Sequence, residues 1–147
     1  MPSEKNPLSL EHQLCFSIYA CSREMTKLYR PILQELELTY PQYLVMLVLW
    51  EHEKMSVKDL GTELFLDSGT LTPLLKRLEE AGFVERIRSK TDERKVEISL
   101  TVRGNKLKDE AFRVPEYMLK SSGLSGEDFR RLNDEFRTLL KKLTAAK

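Results

Sequence analysis

Apolar positions recur at helical spacing over most of this chain, and at a spacing of two over one short stretch. From about Ser9 to Arg30, Leu14, Ile18, Cys21, Met25 and Leu28 alternate at four and three residues, which predicts one buried face of an amphipathic helix. Cys15, Tyr19, Ser22, Thr26 and Tyr29 form the adjacent stripe, rotated by about 100°. Pro31 suits the start of a new short helix. Thr39 followed by Gln42 is a capping-box pattern, opening a helix through about Glu51 in which Tyr43, Leu44, Leu47 and Trp50 are mostly core. Ser56 with Asp59 repeats the signal for a short helix ending near Leu64. A further helix is expected from about Ser68 to Ala81, stopped by Gly82, a residue suited to the left-handed C-cap.

The period then changes. In FVERIRS, Val84 and Ile87 alternate imperfectly with charged residues, whereas in KVEISL Val96, Ile98 and Leu100 alternate cleanly. The polar SKTDER between them predicts an antiparallel hairpin. Thr101 caps another helix, bent or interrupted at Pro115. SGED from Ser125 opens a last helix with a broad apolar face of Phe129, Leu132, Phe136, Leu139, Leu140 and Leu143. So wide a stripe needs a cover, and in a small chain a second copy of itself, packing terminal helices on terminal helices, supplies one.

Composition narrows the class. The 147 residues fit one domain, and 41% apolar with 32% charged residues, six Gly and six Pro argue against disorder or a fibrous repeat. The N-terminus lacks a signal-peptide pattern, and the longest apolar run, Tyr43 to Trp50, is too short to cross a bilayer. The expected compartment is the cytoplasm, where stable disulfides are rare. The two cysteines, Cys15 and Cys21, are separated on one helix by about 9 Å of rise, beyond the roughly 7 Å a disulfide tolerates. Cys21, on the apolar stripe, reads as a buried hydrophobe. His12 and His52 are the only histidines and sit in no ligand-spaced cluster, so neither a metal nor a cofactor is expected. Net charge is +1, so any case for nucleic acid rests on local arrangement.

That arrangement occurs between residues 56 and 100. A short helix, a tight turn, a second helix and a two-stranded hairpin follow in the order of a winged helix-turn-helix. The second helix begins with the small and hydroxyl residues Ser68, Gly69, Thr70 and Thr72, which allow close approach to a groove and contact with phosphates or base edges. Its N-terminal amides add a phosphate-binding end. Lys76 and Arg77 lie further along, and the hairpin carries Arg86, Arg88, Lys90, Arg94 and Lys95 for phosphates or a minor groove. The plainer alternative is an ordinary helical pair followed by a β-hairpin whose charges solvate the surface. The expected architecture is mainly α with a small β-hairpin: a winged helix-turn-helix at 39–101, with dimerisation helices at 9–38 and 102–147.

At these residues the sequence resembles a known family. LDSGTLTPLLKRLEEAGFVERIRSKTDERKVEISLTVRG resembles the recognition helix and wing of the MarR-type transcriptional regulators, with the wing Asp-x-Arg present as Asp92-Glu93-Arg94. Upstream, LEHQLCFSIYACSREMTKLYRPILQELELTYPQYLVMLVLWE is similar to the organic-hydroperoxide-sensing branch, the OhrR repressors. The resemblance implies a homodimeric repressor on a palindromic double-stranded operator, with a recognition helix in each major groove and a wing arginine in the minor groove. By match, that arginine is Arg94, with Asp92 helping to position it. The sensing thiol falls on Cys15, and the tyrosines that hydrogen-bond it across the dimer fall on Tyr29 and Tyr40, with Tyr19 nearby. The two-cysteine branch carries a resolving cysteine towards its C-terminal end, and this sequence has none after residue 21. It therefore resembles the one-cysteine branch, whose sulfenic acid reacts with a low-molecular-weight thiol or is overoxidised.

The chemistry fits in part. The thiolate is the nucleophile, and with a helix starting near Ser9 its dipole helps little at Cys15, so tyrosine hydroxyls are the expected support. Other readings stay open: a regulator of the same family that answers a phenolic ligand or general oxidants, a thiol peroxidase, or a plain dimeric interaction module. No CxxC pair is present for the peroxidase.

Overall fold

A computed structural model describes residues 6–92 and 94–145. Among these, a single 3-10 turn at Leu10–His12 precedes α1 (Leu14–Glu35). There follow α2 (Tyr40–His52), β1 (Lys54–Ser56), α3 (Val57–Leu64), α4 (Ser68–Glu80), β2 (Val84–Arg88) and β3 (Val96–Leu100). Helices α5 (Val102–Ala111), α6 (Arg113–Ser122) and α7 (Gly126–Ala145) complete the chain. The strands form one antiparallel sheet in the order β1-β3-β2, with Arg86 opposite Ile98 and Met55 opposite Ile98 on the other side. Helix, turn, helix and sheet make a winged helix.

The chain divides into two units, Tyr29–Arg113 and Met1–Leu28 with Val114–Lys147. The first holds the apolar core: Leu33, Leu36, Val45, Met46, Leu49, Leu60, Leu71, Leu75, Leu78 and Ile98 are buried, each such side chain stabilising by roughly 1.5–3 kcal/mol relative to exposure. The buried Trp50 indole donates to the Gly104 carbonyl at 2.9 Å, so its one polar group is satisfied.

Local signals explain the boundaries. At α2 the capping box is complete: Thr39 Oγ1 accepts the Gln42 N–H at 3.4 Å and Gln42 Oε1 accepts the Thr39 N–H at 2.9 Å. Helix α4 ends with the Phe83 N–H on the Leu78 carbonyl and the Gly82 N–H on that of Glu79, with Gly82 at φ +84° in the left-handed region that spares glycine a Cβ clash. The Thr101 hydroxyl donates to the Gly82 carbonyl at 2.6 Å and accepts the Gly104 N–H at 3.0 Å, tying the end of α4 to the start of α5.

In the second unit only Val114 and Met118 are buried among the described residues. Helix α7 buries none of its side chains. Leu14 is 62% exposed and Leu143 59%, and Phe16, Tyr19, Phe136 and Leu140 are exposed too.

Four expectations need correction. The first helix begins at Leu14, not near Ser9, and runs through Pro31 to Glu35. An interior proline costs about 3 kcal/mol, offset by the burial of Ile32 and Leu33 just beyond it. The stripe from Leu14 to Leu28 is not a core face: Leu14 and Cys21 are exposed and Ile18, Met25 and Leu28 only half-buried. Cys21 is therefore not a buried hydrophobe in this chain. The break after α5 falls at Phe112, three residues before Pro115, where a proline cannot donate to the carbonyl of Ala111 and its ring crowds it. Finally, the sheet has a third strand, β1, beside the expected hairpin.

Candidate functional site

The winged helix presents one exposed surface with two parts. Helix α3 is capped at its start by Ser56, whose Oγ accepts the Asp59 N–H at 3.1 Å, and at its end by Phe65, left-handed at φ 56°. Helix α4 then buries Leu71, Leu75 and Leu78 and turns Ser68, Gly69, Thr70, Thr72, Lys76 and Arg77 to solvent. Its N-cap is Asp67, whose Oδ1 accepts the Thr70 N–H at 2.7 Å. Hydrogen bonds from Thr70, backbone and side chain, hold the Asp67 carboxyl below its usual range. The carboxylate thus occupies the helix N-terminus that was expected to offer amides to phosphate. What α4 offers outward is the hydroxyls of Ser68 and Thr72 and the two basic side chains.

The wing is built by its own turn. Ser89 N–H donates to the Lys95 carbonyl at 2.8 Å, and Lys95 N–H to that of Asp92 at 2.9 Å. Asp92 Oδ1 accepts the Arg94 N–H at 3.0 Å, an Asx turn that sets the backbone from which Arg94 projects. Lys90, Asp92, Arg94 and Lys95 are exposed at this tip, and Arg86 and Arg88 along β2. Glu93, the middle residue of the wing motif, lies outside the described residues.

The thiols and tyrosines are placed separately. Cys15 and Cys21 are both free and exposed. Cys15 is the second residue of α1, inside the first turn, where the helix dipole favours an anion and no acidic side chain competes. Tyr19, one turn on, is exposed, with the Arg23 guanidinium 5.4 Å from its ring centre.

In the other unit Tyr29 and Tyr40 belong to an aromatic cluster with Tyr43, ring centroids 4.8, 5.7 and 6.5 Å apart, which Trp50 extends at 6.3 Å from Tyr43. Burial raises all three phenol pKa values above 10.0, that of Tyr29 most, with the neighbouring tyrosines adding to it. Each is therefore a protonated donor across the physiological range. Among the described residues, none of the three hydroxyls has a hydrogen-bond partner in the chain. Tyr43 was expected only as core; its spacing of three from Tyr40 on α2 was the signal for a shared cluster.

Comparison with known proteins identifies the family. Residues 27–111 match the family described as transcriptional regulator SarA/Rot. The organic hydroperoxide resistance transcriptional regulator of Bacillus subtilis is 52% identical over 143 residues, 97% of each chain. Among solved structures, reduced AbfR bound to DNA is 38% identical with a TM-score of 0.77, covering 98% of this chain and 99% of that one. Overoxidised AbfR bound to DNA is 39% identical with a TM-score of 0.75, covering 97% and 99%. The chain belongs to the MarR-type transcriptional regulators, in the branch of the organic hydroperoxide resistance regulators.

Proposed function

We propose that this protein is a homodimeric repressor that binds a palindromic DNA operator and leaves it when an organic hydroperoxide oxidises Cys15. The observation that carries the DNA-binding part is α4 itself: three buried leucines on one side, and Ser68, Gly69, Thr70, Thr72, Lys76 and Arg77 outward on the other. Beside it the wing presents Arg86, Arg88, Lys90 and Arg94, with Asp92 bracing the Arg94 backbone. The helix enters the major groove, and Arg94 reaches the adjacent minor groove. A second copy covers the apolar faces of α1 and α7 and spaces two such heads for a palindrome.

Cys15 is the sensor in this reading. Cys15 and Tyr29 are fourteen residues apart on α1, whereas helical neighbours are three or four apart, which puts Tyr29 of the same helix out of reach of the thiol; in line with the resemblance to this branch, Tyr29 and Tyr40 of the partner subunit serve the thiolate, with Tyr19 flanking. The Cys15 thiolate attacks the terminal oxygen of ROOH. The S–O bond forms as the O–O bond breaks, the alkoxide leaves and takes a proton as alcohol, and sulfur becomes sulfenic acid. A cytosolic low-molecular-weight thiolate then attacks that sulfur, forming a mixed disulfide and releasing hydroxide, which is protonated to water. No thiol beyond Cys21 exists in the chain to resolve it, which supports one-cysteine chemistry.

In this reading the bulky mixed-disulfide adduct is the releasing species. An adduct beside packed aromatic side chains shifts the dimer away from operator spacing. The test is whether operator affinity is lost in step with the Cys15 mixed disulfide.

A further inference from the structure

We propose that Glu79 is a positioning residue that clamps the wing to the recognition helix and so sets the angle at which Arg94 meets DNA. The inference rests on the DNA-binding reading above. Strand β2 is an edge of the sheet, paired only with β3. On an antiparallel edge, alternate residues turn their N–H groups away from the partner strand, leaving donors without a ladder acceptor. Arg86 is such a residue: its N–H is met by Glu79 Oε2 at 3.3 Å. Glu79 stands in the last turn of α4, whose other end carries the outward hydroxyls. One carboxylate thus links the helix that lies in the groove to the strand that leads to the wing tip. The Phe83 N–H on the Leu78 carbonyl already holds the root of the strand to α4, and the Glu79 contact adds a second hold further along β2, at Arg86, nearer the wing tip.

This role predicts a sign opposite to simple electrostatics. A carboxylate on a DNA-facing surface repels phosphates, so its removal ordinarily tightens binding. Glu79→Gln removes the charge and keeps an acceptor oxygen; Glu79→Ala removes both. The experiment takes the full-length protein and a duplex that the wild-type chain selects from a randomised pool, and titrates affinity at one salt concentration. Amide exchange at Arg86 is measured in parallel.

E79Q is expected to bind at least as tightly as wild type, and E79A about fivefold more weakly, the size of one lost hydrogen bond. The Arg86 amide should exchange faster in E79A. Because the clamp works through Arg94, Glu79→Ala should add little to the loss already caused by Arg94→Ala. E79A binding as tightly as E79Q, unchanged Arg86 exchange, or fully additive losses would each overturn the clamp while leaving the DNA-binding reading intact. Failure of the wild-type chain to select any duplex would overturn that reading and the clamp together.

Discussion

The rings of Tyr29, on α1, and Tyr40, at the start of α2, lie with centroids 4.8 Å apart and planes tilted by 45°. Burial keeps both phenols protonated, and neither hydroxyl has an acceptor among the described residues. Two donors held this way suit a thiolate brought by a partner subunit. Tyr29→Phe and Tyr40→Phe keep the rings and delete the donors. Each should slow oxidation of Cys15 by an organic hydroperoxide at neutral pH about tenfold, as expected for one hydrogen bond to a charged group. Rapid-quench mass spectrometry reads the rate, and unchanged rates in both variants would detach the cluster from the thiol.

The same burial has a pH signature. The folded phenol pKa values stand above 10.0, the ordinary value the unfolded chain approaches. Above that pH the folded state retains protons the unfolded state has lost, so stability falls as pH rises. Below it the contribution of these shifts is present in full. Denaturant midpoints measured on either side of pH 10.0 should drop on the alkaline side, and Tyr29→Phe should flatten that drop. Parallel curves for the two proteins would contradict the assignment to Tyr29.

At the wing tip, Arg94→Ala should weaken operator binding by roughly 1–3 kcal/mol and relax sequence preference at the position it reads. Asp92→Ala deletes the acceptor for the Arg94 N–H but keeps the guanidinium. It should lose less, about 1 kcal/mol, through a less ordered turn. Titration at fixed salt orders the two. A larger loss from Asp92→Ala than from Arg94→Ala would mean that the turn, rather than the arginine, makes the contact.

Gly104 tests the join between wing and α5. A Cβ there would run into the carbonyl oxygen of Phe83, which itself accepts the Thr101 N–H. Gly104→Ala should destabilise by about 2–4 kcal/mol, because backbone has to move. A denaturant midpoint within error of wild type would contradict this packing.

Much of the winged helix was legible where a local rule acts alone. Thr39 with Gln42, Ser56 with Asp59, Gly82 after α4 and the alternation of Val96, Ile98 and Leu100 each specify a boundary within a few residues. Strand β1 was not legible, because Lys54, Met55 and Ser56 are too few to show a period and pair only with the distant β3. The course of α1 through Pro31 depends on burial of Ile32 and Leu33, a tertiary effect no local signal carries. The exposure of Cys21 is not legible for a related reason: periodicity reports which face is apolar, not whether anything in the same chain covers it. At the candidate site, the residue types were visible in sequence. The Asp67 carboxylate on the α4 amides, the first-turn place of Cys15 and the three-tyrosine cluster needed coordinates.

The most direct test of the peroxide switch treats the protein with a stoichiometric organic hydroperoxide and a low-molecular-weight thiol. Intact mass and peptide mapping are then followed alongside operator titration. A mixed disulfide on Cys15 alone is expected, growing in step with loss of DNA binding, together with a Cys15→Ser protein that binds the operator and ignores the oxidant. Release of DNA by the oxidant from the Cys15→Ser protein, or full binding with Cys15 completely modified, would contradict the switch.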